Sequence, residues 1–531
     1  ITLAAVSTVM GMAFKLYDPD NLIGDDKSPG ITCALIPSDA DGITLGRRHD
    51  PMGAPFYNCP INGEDVIISV DDIIGGADLA GQGWRMLMEC LSAGRAISLP
   101  ATGTGCSKLV SRTIGNYATV RRQFGISIGR FEGIDEAMAE IGGYTYMLDA
   151  ARKYTCGAVD AGEKPSVVSA IAKYNFTEIA RTIVNHGMDI MGGAAISRGP
   201  KNLLANQYAS LPISITVEGA NILTRTMIIF GQGMIRCHPF AQDEVNALEN
   251  NDQKAFDKAF FGHIGFVVRN SFRAVVLSVT RGVLGGYSVS GPTAKYYRKI
   301  TWASSIFAVL TDICMGAYGG GLKRKEKLTG RLADVVSGLY LATAILRRYE
   351  AEGRQKEALS FVLWGLEKNM HDVQIAIEGI LKNIDIPVLG AILGGPVHWL
   401  VRTNAIATGP SDRLGSTITR ALMTPGKFRD DLTEHCFMPE TETDALHVLE
   451  EAFVLVKESE GIEKELKAAV ASGKIPKGRM AAMIKSARKE NIIPAERLDI
   501  IEKAMVLAVE AIQVDAYDID DFNSNLLPKP L

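Results

Sequence analysis

Glu218-Gly219 closes the apolar, β-branched run at residues 213–217. A carboxylate in an apolar setting has its charged form disfavoured, so its pKa rises toward the range of a general base. Gly192-Gly193 precedes it by about 25 residues, and Arg121-Arg122-Gln123-Phe124-Gly125 by about 95. Each segment has an ordinary reading: a glutamate at a helix entry, a helix-ending turn, a solvated basic helix end. In this order and spacing, the three together outweigh those readings.

The elements that must position these residues follow from the hydrophobic pattern. Residues 31–37 and 42–46 read as strands, and Asn62-Gly63 signals a turn before a further strand at 66–70. From Ala80 the period becomes helical, with Trp84, Leu87, Met88 and Leu91 on one face. Helices are expected through 103–123, 131–161, 165–192 (Pro165 near its start) and 219–233, which together make a bundle. After Pro239, helical spacing recurs at 252–282, 292–315, 328–352, 355–383 and 442–472, and from Pro494 to Val514. Residues 384–440, rich in Gly and Pro, are expected to be irregular, and the tail from Asp518 loosely ordered.

Composition narrows the function. The 531 residues are 47% hydrophobic and 22% charged, and the net charge of −4 gives no reason to expect nucleic acid as a partner. The eight cysteines contain no CxxC pair and the eight histidines no HExxH, so no metal site and no disulfide framework is expected. Gly103-Thr104-Gly105 lacks the third glycine of a dinucleotide fingerprint, and Gly319-Gly320-Gly321 lacks phosphate-loop spacing. No stretch reaches about 18 uncharged apolar residues. The nearest are 304–322, interrupted by Asp312, and 386–401, broken by Pro387 and Pro396; both read first as buried helix or loop. The chain opens at Ile1 without methionine and is read as a piece of a longer protein.

The Arg-x-Gln-Phe-Gly, Gly-Gly and Glu-Gly segments resemble the acyl-CoA dehydrogenase family. Phe261-Gly262-His263-Ile264-Gly265-Phe266 and Gly320-Gly321-Leu322-Lys323-Arg324 resemble the long fatty-acid-degradation members of Gram-negative bacteria. The resemblance implies an α+β, mainly α fold: the remainder of a middle β-domain (1–75), a helical bundle with the flavin and catalytic residues (76–236), and an additional helical carboxyl-terminal region (237–531). The family's amino-terminal helical domain is expected to be missing.

The resemblance also implies α,β-dehydrogenation of fatty acyl-CoA to trans-2-enoyl-CoA in β-oxidation, with FAD as cofactor and an electron-transferring flavoprotein as electron acceptor. Glu218 matches the base that removes the α-proton, and Gly219 the glycine beside flavin and thioester. Arg121, Gln123 and Phe124 match the segment touching the FAD of a neighbouring subunit, where an arginine fork suits the pyrophosphate. A homo-oligomer is therefore expected. Gly192 and Gly193 match the pair that admits the adenosine half of FAD, and Asp189 stands nearby where many members have glutamine. Thr2 matches a threonine near flavin N5, and Arg95 a position near the CoA moiety. Ala220, Ile222 and Glu132 replace polar residues common in the family and mark a divergent branch. The alternatives are an acyl-CoA oxidase, or a non-catalytic membrane-associated scaffold. The expected location is cytoplasmic with association to the inner membrane, Trp399, Leu400 and Arg402 supplying a peripheral contact.

Overall fold

The computed structural model describes residues 1–54, 57–163, 166–233, 237–286, 289–441 and 443–520. Pro165, Arg236 and residues 521–531 lie outside the described residues, as does the side chain of Met88.

The amino-terminal part is made of two antiparallel ribbons. β1 (Val9–Leu16) pairs with β2 (Gly30–Pro37), Val9 opposite Pro37 and Leu16 opposite Gly30, while β3 (Ile43–Leu45) pairs with β4 (Ile61–Gly63). The strand expected at 66–70 does not form, and Asn62-Gly63 lies in β4 rather than in a turn. Ser69 Oγ accepts from Asp71 N, and Ser69 N donates to Asp72 Oδ2, so a tight capped turn takes that backbone instead.

Helices dominate the rest. α1 (Gly83–Val120) unites two stretches that the sequence divides around Pro100, Gly103 and Gly105. It packs against α2 (Glu132–Asp160) and α3 (Ser166–Met191). β5 (Arg122–Gln123) and β6 (Ile126–Ser127) form a hairpin after α1. The short α4 (Gly193–Ile196) follows α3. The β-branched run before Glu218 is helical, in α5 (Ala205–Thr216), and the chain bends by 51° before α6 (Asn221–Leu223), which continues as π-helix over Thr224–Gln232.

The carboxyl-terminal half adds α7 (Ala241–Glu249), α8 (Gln253–Val279), α9 (Ala294–Tyr318), α10 (Glu326–Ala351) and α11 (Leu359–Asn383). The segment expected to be irregular holds α12 (Leu389–Ile392), a π-turn (Leu393–Val397), α13 (His398–Thr403), α14 (Asp412–Leu422) and α15 (Lys427–Leu432). The last helices are α16 (Ala445–Ala471), α17 (Met480–Lys489) and α18 (Ala495–Ala511).

One apolar core crosses from the bundle into these later helices. Ile114, Met138 and Phe176 share it with Leu332, Phe361, Ile418 and Phe453, and a smaller core joins α16, α17 and α18. Ion pairs lock the same seam. Asp149 on α2, fully buried, meets Lys108 at 3.0 Å and Arg348 of α10 at 2.9 Å. Glu450 of α16 accepts from Arg112 and Asn116 of α1 and from Arg429 of α15. Residues 294–324 form the one helix among the described residues long and apolar enough to cross a membrane. In the fold that helix packs on its neighbours and buries Trp302, Leu310 and Cys314.

Candidate active site

The bend between α5 and α6 creates the site. Glu218 has φ +53° and Gly219 φ +99°, two successive residues in the left-handed region that β-carbons disfavour. Two cations hold this unusual backbone. Arg95 on α1, a buried residue, donates from Nε to the Glu218 carbonyl at 2.7 Å. Lys173 on α3, fully buried, donates from Nζ to the Gly219 carbonyl at 2.7 Å and to Asn221 Oδ1 at 2.6 Å. Asn221 in turn donates to Thr177 Oγ1 and Glu178 Oε1.

With its backbone fixed, the Glu218 side chain reaches back against α1. A methyl group added at Gly94 would lie 3.1 Å from Glu218 Oε1, a tight contact that would push the carboxylate by a few tenths of an ångström. Glu218 Oε2 is buried and accepts no hydrogen bond among the described residues. Burial raises the Glu218 pKa, and the charges of Arg95 and Lys173 oppose that rise. Burial likewise pushes Lys173 down to about 8, helped by Arg95 and opposed by Glu218 and Glu178. The arrangement is a half-desolvated carboxylate with a free oxygen, kept ionisable by adjacent cations, which is what a general base requires.

The other expected residues gather elsewhere. Twenty-six positions separate Arg95 from Arg121, about 39 Å along α1 at 1.5 Å per residue. At that far end Arg121 caps α1, and Phe124 and Gly125 form the two-residue hairpin turn, both at positive φ. Phe124 is 94% exposed and Gln123 is exposed. The Tyr117 hydroxyl donates to the Met191 carbonyl, which brings the end of α3 to the same place. Exposed there are Asp189 and, just past α3, Gly192 and Gly193. A β-carbon on either glycine would meet nothing within 4 Å among the described residues. Thr2 is exposed and bridges to Asn58, and no hydrogen bond among the described residues ties it to Glu218.

Lys173, Asn221 and Gly94 are the site residues that the sequence analysis missed. An unpaired lysine on an otherwise apolar helical face was the available signal for Lys173.

A second cluster places ligand atoms of His238, His263 and Asp312 within 4.8 Å of one another. His238 Nδ1 accepts the Phe240 and Ala241 backbone N–H groups at 3.2 and 3.0 Å, so its ring proton sits on Nε2 and points at Asp312, 3.1 Å away. His263 bridges Glu244 and Asp312. This is a hydrogen-bonded knot joining α7, α8 and α9, and a His238 so protonated is no metal ligand.

Known proteins share the sequence pattern and the fold of this chain. The family model described as acyl-CoA dehydrogenase, C-terminal domain, matches residues 81–230, and that described as acyl-CoA dehydrogenase, C-terminal, bacterial type, matches residues 235–517. Protein HemX of Proteus mirabilis is 54% identical over 103 residues, 19% of this chain and 61% of that protein. The probable acyl-CoA dehydrogenase FadE10 of Mycobacterium tuberculosis is 25% identical over 409 residues, 72% of this chain and 60% of that protein. The chain thus spans about three fifths of the length of these curated relatives. The crystal structure of an acyl-CoA dehydrogenase from Bacillus anthracis complexed with FAD shares the fold, with a TM-score of 0.60 at 16% identity, over 81% of this chain and 69% of that one. The second family model alone spans more than half of the residues, and the chain belongs to the acyl-CoA dehydrogenase family.

Proposed function

We propose that the protein catalyses α,β-dehydrogenation of fatty acyl-CoA to trans-2-enoyl-CoA in fatty-acid β-oxidation, with FAD as cofactor and an electron-transferring flavoprotein as electron acceptor. The observation that carries this reading is Glu218, half-buried with one free oxygen and fixed by Arg95 and Lys173 through its own backbone turn. Glu218 takes the α-proton of the thioester, while Arg95 and Lys173 hold the turn and limit how far burial raises the carboxyl. FAD, when bound, supplies the acceptor for the hydride leaving the β-carbon.

The residues that fit a flavin gather at the far end of α1. The open faces of Gly192 and Gly193 suit the adenosine half, and exposed Phe124 with Arg121 suits a flavin bound mainly by another subunit. About 39 Å along α1 separates these residues from Arg95 and Glu218, which supports a flavin that reaches the base of another subunit and, with it, a homo-oligomer. Trp399 and Leu400 are both exposed, which supports a peripheral membrane contact and an association with the inner membrane from the cytoplasm.

The test is Glu218→Gln in the full-length holoenzyme. Turnover of acyl-CoA should fall by at least about a thousandfold, the upper range for losing a positioned base, with FAD content unchanged. Substantial residual exchange of the α-proton with solvent would overturn Glu218 as base. Flavin reoxidation with and without oxygen separates this reading from an oxidase.

A further inference from the structure

The turn that carries Glu218 is held from two sides. On one side lie Lys173 and Asn221, tied to α3. On the other, the chain beyond the turn meets α10. Thr224 Oγ1 donates to the Gly219 carbonyl at 3.1 Å, and the next residue is Arg225, the second of the π-helix. Arg225 stands between Thr224 and Thr226, both buried, and its guanidinium leaves the segment toward α10. There Nε donates to Asp334 Oδ1 at 2.7 Å and Nη2 donates to Asp334 Oδ2, so one planar fork takes both carboxylate oxygens.

The approach of α10 is shaped for that guanidinium. Gly330 and Asp334, four residues apart, share one face of the helix. A β-carbon at Gly330 would lie 2.7 Å from Arg225 Nη1 and 3.0 Å from Cζ, closer than a pinned guanidinium tolerates. Tyr174 of α3 reaches the same place. Burial pushes its hydroxyl up to about 12, the charge of Asp334 adds to the rise, and Arg225 opposes it.

Stability does not account for the pair. The side chains of Arg225 and Asp334 are 30% and 31% exposed, and an ion pair so open to water contributes little to folding. What two parallel hydrogen bonds do supply is direction: they fix the guanidinium plane and, through it, the path of the backbone seven residues after Glu218. Ile222 and Leu223, between Asn221 and Thr224, are exposed and supply no comparable anchor. We propose that Asp334 and Arg225 are positioning residues for Glu218: α10 fixes the start of the π-helix and thereby the left-handed turn that aims the base. Arg225 belongs to the bundle and Asp334 to the later helices, so the carboxyl-terminal region completes the active site in addition to extending the core. The proposal rests on Glu218 being the base of the dehydrogenation.

The experiment compares the full-length holoenzyme with its Asp334→Asn, Arg225→Met and double variants, using palmitoyl-CoA. Asp334→Asn should lower kcat by at least about tenfold, since a small misplacement of a reacting group costs up to about a hundredfold. KM, FAD content and melting temperature should stay near wild type. Flavin bleaching in a single turnover should slow at least as much as kcat, which places the loss in the chemical step. Arg225→Met should match Asp334→Asn, and the double variant should be no slower than either, as two groups acting through one contact must be. Wild-type kcat in Asp334→Asn would overturn the proposal. So would a loss that appears in KM or melting temperature instead, or losses that multiply in the double variant. An inactive wild type would remove the catalytic reading and this proposal together, whereas an active wild type with an equally active Asp334→Asn removes this proposal alone.

Discussion

At the residue scale, the site is a contest over one carboxylate. Burial favours protonated Glu218, and the cations of Arg95 and Lys173 favour its ionised form. The sign of a pH effect follows directly. Replacing Lys173 with methionine removes one opposing charge, so the Glu218 pKa rises further. The acidic limb of a kcat/KM profile should then move to higher pH, whereas Lys173→Arg should leave the limb near its wild-type position. A lysine that served only to fill space would lower the melting temperature in both variants without moving the limb. Glu218 was legible in the sequence because the Glu-Gly pair is a local string. Lys173 was not, because its partners lie 42 to 48 positions away and meet it only through the bend after α5.

At the element scale, α1 and its terminal hairpin decide which residues share a site. The sequence divides α1 because proline and glycine punctuate most helices, yet packing against α2, α3 and α16 carries the helix past Pro100. The resulting rod keeps Arg95 and Arg121 apart. The hairpin tip then holds Phe124 at φ +52° and 94% exposed, two unfavourable conditions at once. Backbone strain of this kind costs about 1 kcal/mol and clusters at functional sites. Phe124→Gly relieves the strain and removes the ring. It should melt no lower than the wild type in the apo form, but the assembled holoenzyme should retain less FAD through gel filtration. Full FAD retention would remove Phe124 from the flavin site. The same local reasoning failed at 66–70, where Ser69 and Asp72 satisfy the backbone in place of a partner strand.

At the scale of the whole molecule, the later helices are tied to the α1–α3 bundle by buried charge as well as by the common core. Burial alone would raise the Glu450 carboxyl, but hydrogen bonds and charge from Arg429, with Asn116 and Arg112, hold it at about 2. A group whose pKa is depressed by folding stabilises the protein above its unfolded value near 4.5, and that contribution disappears as pH falls toward 2. Glu450→Gln leaves buried Arg429 and partly buried Arg112 short of a counter-charge and should destabilise by about 3 kcal/mol at neutral pH. Denaturant unfolding at pH 7 and at pH 3 should show the gap between variant and wild type shrinking in acid. A gap independent of pH would exclude the charge as its cause.

The sequence by itself determined what is periodic or contiguous. The helical regions, the Gly-Gly and Glu-Gly strings and the absence of zinc-ligand spacing are readable because each depends on neighbours in the chain. It also contained an apolar stripe along α8 as a spacing, without its direction. Only the tertiary structure decided that Ala259 and Leu277 face the core and Phe272 faces out, because a repeat of 3.6 residues is the same whichever side is buried. It alone brought Arg95 to Glu218 across 123 positions and placed Lys173 beneath the same turn. Those contacts depend on how long helices pack and where the chain bends, and such closures are set by the sum of the core rather than by any local run of residues.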